Sequence, residues 1–223
     1  MMMKNMLSFV FAVAVAGSAL AVDTNAIRRL RRSGGMISRP AAGTFVLFDA
    51  QKSIGRDKVT SCMDTFLKPL RISGRCAELS GGFALGDAVS AAQREGATAA
   101  VFVVSDTALP VALVAPEDHW GVVNVARLAA DGTSGEKLEL RFAKEFARVA
   151  ANVLGAWSSP ALISVLQPTA SLADLDKIAS TSLTPDAMPS IMGYLSKIGF
   201  VQTKTVPYRL ACKQGWAPQP TNE

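Results

Sequence analysis

The feature that most constrains the fold is an uninterrupted apolar run, Ala99–Val104, which is partly β-branched. A strand of this kind is buried on both faces, which is typical of the interior of a parallel sheet covered by helices. Strand-like and helix-like segments also alternate along the chain from Gly43 onward. We therefore predict an α/β fold with a mostly parallel, twisted sheet flanked by helices.

The predicted order of elements is strand, helix, strand, helix and three strands, followed by one long helix. The strands are predicted at residues 44–48, 71–79, 99–104, 111–114 and 121–128, and the helices at 57–70, 85–95 and about 136–154. Past Gly155, Pro160 and Pro168 interrupt the pattern. Helical segments near 171–176 and 185–198 predict a small C-terminal helical subdomain within residues 156–223.

Residues 1–21 have the three parts of a secretory signal peptide. Lys4 supplies positive charge, Leu7–Ala16 is apolar, and Ala19-Leu20-Ala21 provides the small residues that signal peptidase accepts. A retained membrane anchor is the alternative, but the apolar stretch is shorter than the ~20 residues that span a bilayer. We therefore expect cleavage after Ala21 and an exported protein, periplasmic or extracellular, with no transmembrane segment after cleavage.

The positive charge of the chain is concentrated in residues 22–42, whereas residues 43–223 form the predicted domain. The arginines of this arm are Arg28, Arg29, Arg31, Arg32 and Arg39. From Gly43 onward, 17 Lys and Arg are matched by 17 Asp and Glu. A nucleic-acid-binding domain would carry its basic excess on the fold, so we expect no nucleic-acid partner. The arm is expected to be a flexible, solvated linker, and weak contact with an anionic envelope surface is the alternative.

The predicted mature chain has three cysteines, Cys62, Cys76 and Cys212. An exported protein can form a disulfide, but an odd number leaves one thiol over, and the spacing leaves the pairing open. There is no CxxC and no Cys/His cluster, so a zinc site built from cysteines is not supported.

The long helix has an apolar face and an adjoining polar face. Its apolar residues recur at helical spacing, at Phe142, Phe146, Val149, Ala150 and Val153. Its polar residues do the same, at Arg141, Glu145, Arg148 and Asn152. Gly155 ends the helix.

This helix and the order of elements before it resemble the metzincin metallopeptidases, most closely the archaemetzincin-like branch, whose helix carries HExxHxxG. When the glycine of that motif is placed on Gly155, its two histidines fall on Arg148 and Asn152. Its glutamate falls on Val149, and the third zinc ligand falls near Ser158.

The segment after the helix extends the resemblance. Residues 164–168 correspond to the Met-turn of the family, with Leu166 in place of the methionine. Residues 171–176 correspond to the serine-leucine and acidic stretch that follows it. The framework of the family is therefore present, while its ligands, general base and methionine are not.

These replacements imply the fold of the family without its metal chemistry. Arg148 is a permanent cation, Asn152 is a poor zinc ligand, and Val149 cannot accept a proton from zinc-bound water. We expect no metal, no cofactor and no peptidase activity, and a binding or structural module whose partner is unknown. The remaining cleft would present Glu145, Arg148 and Asn152, and the Arg148 guanidinium could bind a carboxylate there.

An exported enzyme of another class is the alternative function. His119 is the single histidine of the chain, and either Asp118 or Asp106 could partner it as an acid/base pair. The chain has no GxSxG, GxGxxG or Walker A sequence, so the common nucleophile and phosphate-binding motifs are missing.

Overall fold

The structure, a computed structural model, describes residues 36–39, 42–79, 83–159, 161, 163–217 and 219. The predicted signal peptide, residues 1–21, and most of the predicted arm lie outside these ranges. The described residues divide into two units. One comprises residues 42–203, and the other combines residues 36–39 with residues 204–219.

The larger unit holds five strands and most of the helices of the described residues. Its strands are β2 Thr44–Asp49, β3 Ser73–Glu78, β4 Ala99–Val104, β5 Ala112–Ala115 and β6 Trp120–Asn124. Its helices are α1 Arg56–Leu70, α2 Leu85–Arg94, α3 Val125–Leu128, α4 Gly135–Val153, α5 Leu172–Lys177 and α6 Met188–Lys197, and a 3-10 turn, Pro185–Ala187, precedes α6. The smaller unit holds β1 Met36–Arg39, β7 Lys204–Pro207 and α7 Tyr208–Lys213.

The five strands form one sheet in the order β3-β2-β4-β6-β5. Strands β3, β2, β4 and β6 run parallel, and β5 pairs antiparallel with β6 at the edge. Phe45 of β2 pairs with Gly74 on one side and Ala99 on the other, so β2 and β4 are interior strands. The predicted α/β fold with a mostly parallel sheet is confirmed.

Alternate side chains of the interior strands fill two separate cores, one on each face of the sheet. Phe45 and Leu47 lie in the core that contains residues of α1 and α4. Val46 and Phe48 point the other way, toward α2, and Phe48 stacks on Phe102 with ring centroids 5.0 Å apart. The period-two alternation of a strand produces this division, and it accounts for the wholly apolar sequence of β4.

The long helix α4 packs directly on β6. A Cβ atom at Gly121 would lie 2.5 Å from Cγ1 of Val149, so the glycine permits this close approach. The apolar face predicted for the helix is buried throughout, with Phe142, Phe146 and Val153 no more than 1% exposed. This packing fixes which residues of α4 face away from the sheet.

Two elements differ from the sequence prediction. The predicted strand over residues 121–128 ends at Asn124, whose buried side chain hydrogen-bonds to the backbone of the loop after β4, and α3 follows. Met36–Arg39, expected to belong to a flexible linker, is a strand paired antiparallel with Lys204–Pro207. That partner is far away in sequence, so no local pattern indicates it.

Within the described part of the chain, no helix combines the length and the apolar character that a bilayer crossing requires.

Candidate functional site

The polar face of α4 is covered by the segment that follows the helix. Arg141 and Lys144 are each 2% exposed and Glu145 is 0% exposed. The side chain of Arg148 is 19% exposed. Charged groups are seldom buried to this extent unless they are paired, so each requires partners inside the protein.

Arg141 has a partner for every one of its five N–H donors. It donates to both carboxylate oxygens of Asp131 and of Asp176, at 2.7–2.8 Å, and to the carbonyl of Leu128. These hydrogen bonds from Arg141 lower the pKa of Asp131 and hold the pKa of Asp176 at about 2. The guanidinium thus links α4 to the loop after α3 and to α5.

Lys144 closes the end of α5. Its Nζ donates to the carbonyl oxygens of Leu175 at 3.1 Å and Asp176 at 3.2 Å, in the last turn of that helix. A cation there satisfies carbonyls that have no partner within the helix. Burial lowers the pKa of this ammonium group.

Glu145 and Arg148 form an ion pair that connects α4 to the turn after it. Nη2 of Arg148 donates to both Glu145 carboxylate oxygens at 2.6 Å, and Nη1 donates to Oγ1 of Thr169. Thr169 directly follows residues 164–168, the turn predicted to correspond to the Met-turn. Helix and turn are therefore joined by a cation that belongs to the chain itself.

The residues at the predicted zinc-motif positions do not form a metal-ligating set. The Arg148 guanidinium is occupied by Glu145, and Val149 is 1% exposed within the core. Asn152 is partly exposed and Ser158 is exposed. A catalytic zinc needs about three ligands from His, Asp, Glu or Cys. In the described ranges, no three such residues are grouped so that they could hold a metal ion.

The glycine that ends the α4 segment permits a close contact with α6. Gly155 has φ +83°, and a Cβ atom there would lie 2.5 Å from Cγ of Tyr194. Oγ of Ser190 donates to the Gly155 carbonyl at 2.7 Å. The position predicted from the HExxHxxG pattern thus carries a glycine that is required by both backbone conformation and packing.

His119 is not brought together with either predicted acid partner. It precedes β6 and Asp106 follows β4, and because these strands are parallel the two lie at opposite ends of the sheet, roughly 16 Å apart along the strands. Asp118 is exposed, and Nδ1 of His119 is instead 2.9 Å from the Pro116 carbonyl and 3.4 Å from the Tyr194 hydroxyl. The structure thus separates Asp106 from His119, and among the described residues it gives no hydrogen bond between His119 and Asp118.

Asp106 has a structural role in its loop. Its carboxylate accepts a hydrogen bond from the backbone N–H of Ala108 at 2.8 Å, and its own N–H donates to Asn124. This is the turn geometry that short acidic side chains favour.

Cys62 and Cys76 are free thiols that face different surroundings. Sγ of Cys76 lies 3.3 Å from Oγ1 of Thr60, whereas Cys62 lines a cavity of about 550 Å³ between α1, α4 and residues 181–188. Thr60 and Cys62 are two positions apart on α1, so they project from different sides of the helix. Burial raises the pKa of both thiols. A disulfide between Cys62 and Cys76 is not formed in this structure.

Sequence reasoning identified Arg141, Glu145 and Arg148 on α4, but it did not identify Lys144 or the partners that come from other segments. Asp131, Thr169 and Tyr194 were not predicted as parts of the site, since they are distant in sequence and belong to no motif. One signal was available: Arg141, Lys144 and Arg148 share one face of the helix with a single acid, Glu145, so their burial requires acceptors from elsewhere.

No family model matches the chain, and no curated protein matches it in sequence. Several solved structures are similar to it in fold. The archaemetzincin from Methanopyrus kandleri has a TM-score of 0.52 and 15% identity, over 69% of this chain and 96% of that one. A zinc-dependent peptidase from Methanocorpusculum labreanum has a TM-score of 0.52 and 11% identity, over 67% of this chain and all of that one. The chain therefore has an archaemetzincin-like fold, as its sequence predicts.

Proposed function

We propose that this chain is an exported, non-catalytic domain that uses an archaemetzincin-like fold as a binding or structural module. The observation that carries the proposal is the Glu145–Arg148–Thr169 contact, which occupies the place where the resemblance puts the first zinc ligand. A permanent cation at that position opposes a divalent metal ion.

The general-base position gives independent support. Val149 packs against Gly121 in the core, where a glutamate would be buried and unpaired. Peptide hydrolysis by zinc requires a base that reaches metal-bound water. The chain supplies neither the ligand nor the base at the corresponding positions.

The binding cleft predicted around Arg148 needs a ligand other than a carboxylate. Both oxygens of the buried Glu145 already accept from this guanidinium, so an incoming carboxylate would have to displace an internal partner. Asn152 and Ser158, which retain exposure, are the polar groups that we propose for ligand contact.

Metal content tests the proposal directly. The purified mature chain is incubated with zinc sulfate, desalted and measured by elemental analysis. We expect much less than one zinc per chain. The Methanocorpusculum labreanum peptidase, taken through the same steps, is the positive control. One zinc per chain that is lost in Asn152→Ala or Arg148→Ala would overturn the proposal.

Catalysis is tested on a library of quenched fluorescent peptides. We expect no cleavage that o-phenanthroline inhibits, and no difference between the native chain and Arg148→Ala. Chelator-sensitive cleavage by the native chain would contradict a non-catalytic role.

Export is tested on the full chain expressed in a bacterial host. We expect the protein in the periplasm or medium with Val22 as its first residue, because signal peptidase accepts Ala19-Leu20-Ala21. Ala21→Tyr, which removes a small residue from the site, should block processing. A cytoplasmic protein that begins at Met1 would contradict export.

A further inference from the structure

The loop after α4 exposes two large apolar side chains. Trp157 is 81% exposed and Ile163 is 64% exposed, the two highest values among the large hydrophobic residues of the described ranges. Single exposed apolar residues are common on proteins, but two in one short loop, one of them tryptophan, indicate a contact surface.

This loop is held in a defined conformation at its base. The N–H of Ser159 donates to the Leu166 carbonyl at 3.1 Å, and the N–H of Leu166 donates to Oγ of Ser164 at 3.2 Å. Val165 and Leu166 are buried. Ser159, two residues after Trp157, and Leu166, three residues after Ile163, are therefore anchored to the fold.

The sequence around the loop is free of charge. Residues 149–173 contain no Asp, Glu, Lys, Arg or His, and this is the longest such stretch of the chain. Entry into an apolar medium would therefore desolvate no ion in this segment, which removes the largest cost of such a transfer.

We infer that the loop bearing Trp157 and Ile163 inserts into the interfacial region of a lipid bilayer. Tryptophan is enriched at that depth because its ring is apolar and its N–H remains hydrated. A second copy of the chain is a weaker explanation, since the two side chains offer on the order of 300 Å². A stable dimer needs about 800 Å² from each partner.

The charge of the chain complements an anionic membrane. From Gly43 onward the cations are balanced by acids, and the excess lies in the arginines of residues 22–42. Basic segments strengthen attachment to anionic lipids but do so in a salt-dependent way, whereas insertion of apolar side chains persists at high salt. The two contributions can therefore be separated by experiment.

Vesicle co-sedimentation tests the inference with the mature chain, residues 22–223. The vesicles contain phosphatidylglycerol and phosphatidylethanolamine, or phosphatidylcholine alone. We expect binding to the anionic vesicles, and a partition coefficient at least tenfold lower for Trp157→Ser. Leu85→Ser and Leu140→Ser, which alter exposed leucines on α2 and α4, should stay within twofold of the native chain.

Tryptophan fluorescence provides a second readout. Vesicles should shift the emission of the native chain to shorter wavelength, and brominated lipids should quench it, whereas Trp157→Ser should show neither effect. The circular dichroism spectrum verifies that each variant is folded.

Several results would overturn the inference. One is that the native chain does not bind vesicles, and another is that Trp157→Ser leaves binding unchanged. A third is that binding disappears in high salt for the native chain and the variant alike. A dimer in size-exclusion chromatography that Trp157→Ser dissociates would also overturn it and identify a second copy as the occupant. None of these outcomes depends on zinc content, so the inference and the proposed function can fail separately.

Discussion

Among single residues, Arg141 makes the largest set of polar contacts in α4. A lysine at this position supplies fewer donors in a different geometry, and alanine leaves Asp176 without its main partner. We expect Arg141→Ala to lower the free energy of unfolding by about 2–3 kcal/mol. This loss is smaller than that expected on breaking a fully buried ion pair, because Asp131 is nearly half exposed.

Urea denaturation measures this loss, and Arg127→Ala is the matched control. Arg127 is exposed on α3, so its removal should change stability by less than about 0.5 kcal/mol. Equal effects of the two substitutions would show that the Arg141 contacts do not stabilise the fold.

Asp176 makes the stability of the protein depend on pH. Its pKa is held at about 2, below the ordinary value of 3.8, chiefly by hydrogen bonds from Arg141. The folded state therefore binds its proton less readily than the unfolded state, and the stabilisation is fully present above pH 4. We expect it to be lost as the pH falls from about 4 to about 2.

The free energy of unfolding, measured by urea titration across this pH range, should fall more steeply in the native chain than in Asp176→Asn. Asp118→Asn, which removes an exposed carboxyl, should leave the native slope unchanged. Identical slopes for the native chain and Asp176→Asn would show that Asp176 does not cause the loss of stability at low pH.

Gly155 is constrained by both conformation and space, whereas Gly132 is constrained by conformation alone. Both have positive φ, +83° and +79°, but a Cβ atom meets Tyr194 at the first position and nothing within 4 Å at the second. We expect Gly132→Ala to cost about 1 kcal/mol and Gly155→Ala clearly more. Thermal melting compares the two variants. When Tyr194→Ala is combined with Gly155→Ala, the side chain that the new Cβ atom meets is removed, and the extra loss at Gly155 should be recovered.

At the scale of elements, the contacts of Arg148 hold the 164–177 segment on α4. Arg148→Met leaves Glu145 buried without its partner, which should cost on the order of 3 kcal/mol. The double variant Glu145→Gln with Arg148→Met removes both charges and should recover much of that loss. Hydrogen exchange of α5 amides should be faster in the single variant only.

Elements with a strong local pattern were predictable. β4 matches its predicted bounds because all six residues are apolar, and α4 begins and ends within one residue of its prediction because an apolar face runs along its full length. β1 and α7 were missed. The pairing of β1 with β7 joins residues more than 160 positions apart, and α7 is only six residues long.

For the whole molecule, the fold was more accessible from the sequence than the site. Element order, together with the long helix ending at Gly155 and the segment after it, indicated the archaemetzincin-like fold. Several partners of the charged residues were not accessible, because Asp131 and Thr169 lie in loops that periodicity does not describe. The separation of Asp106 from His119 was not accessible either, since it depends on the parallel pairing of β4 with β6.

The stability of the whole domain should not depend on a metal ion. In the described residues, side chains of α4 connect the helix to the segment after it. We expect the melting temperature of the zinc-free protein to remain the same in EDTA and in added zinc, since a ligand that does not bind the folded state cannot stabilise it. A rise of several degrees with zinc would contradict this.

The pairing of β1 with β7 has a consequence for biosynthesis. During translation the strand at residues 36–39 has no partner until the ribosome has made residues 204–207. The smaller unit therefore closes only after residues 204–207 have been made, whereas the consecutive β-α-β segments of the larger unit can fold earlier. The strand at residues 36–39 thus stays without its partner while more than 160 further residues are added to the chain.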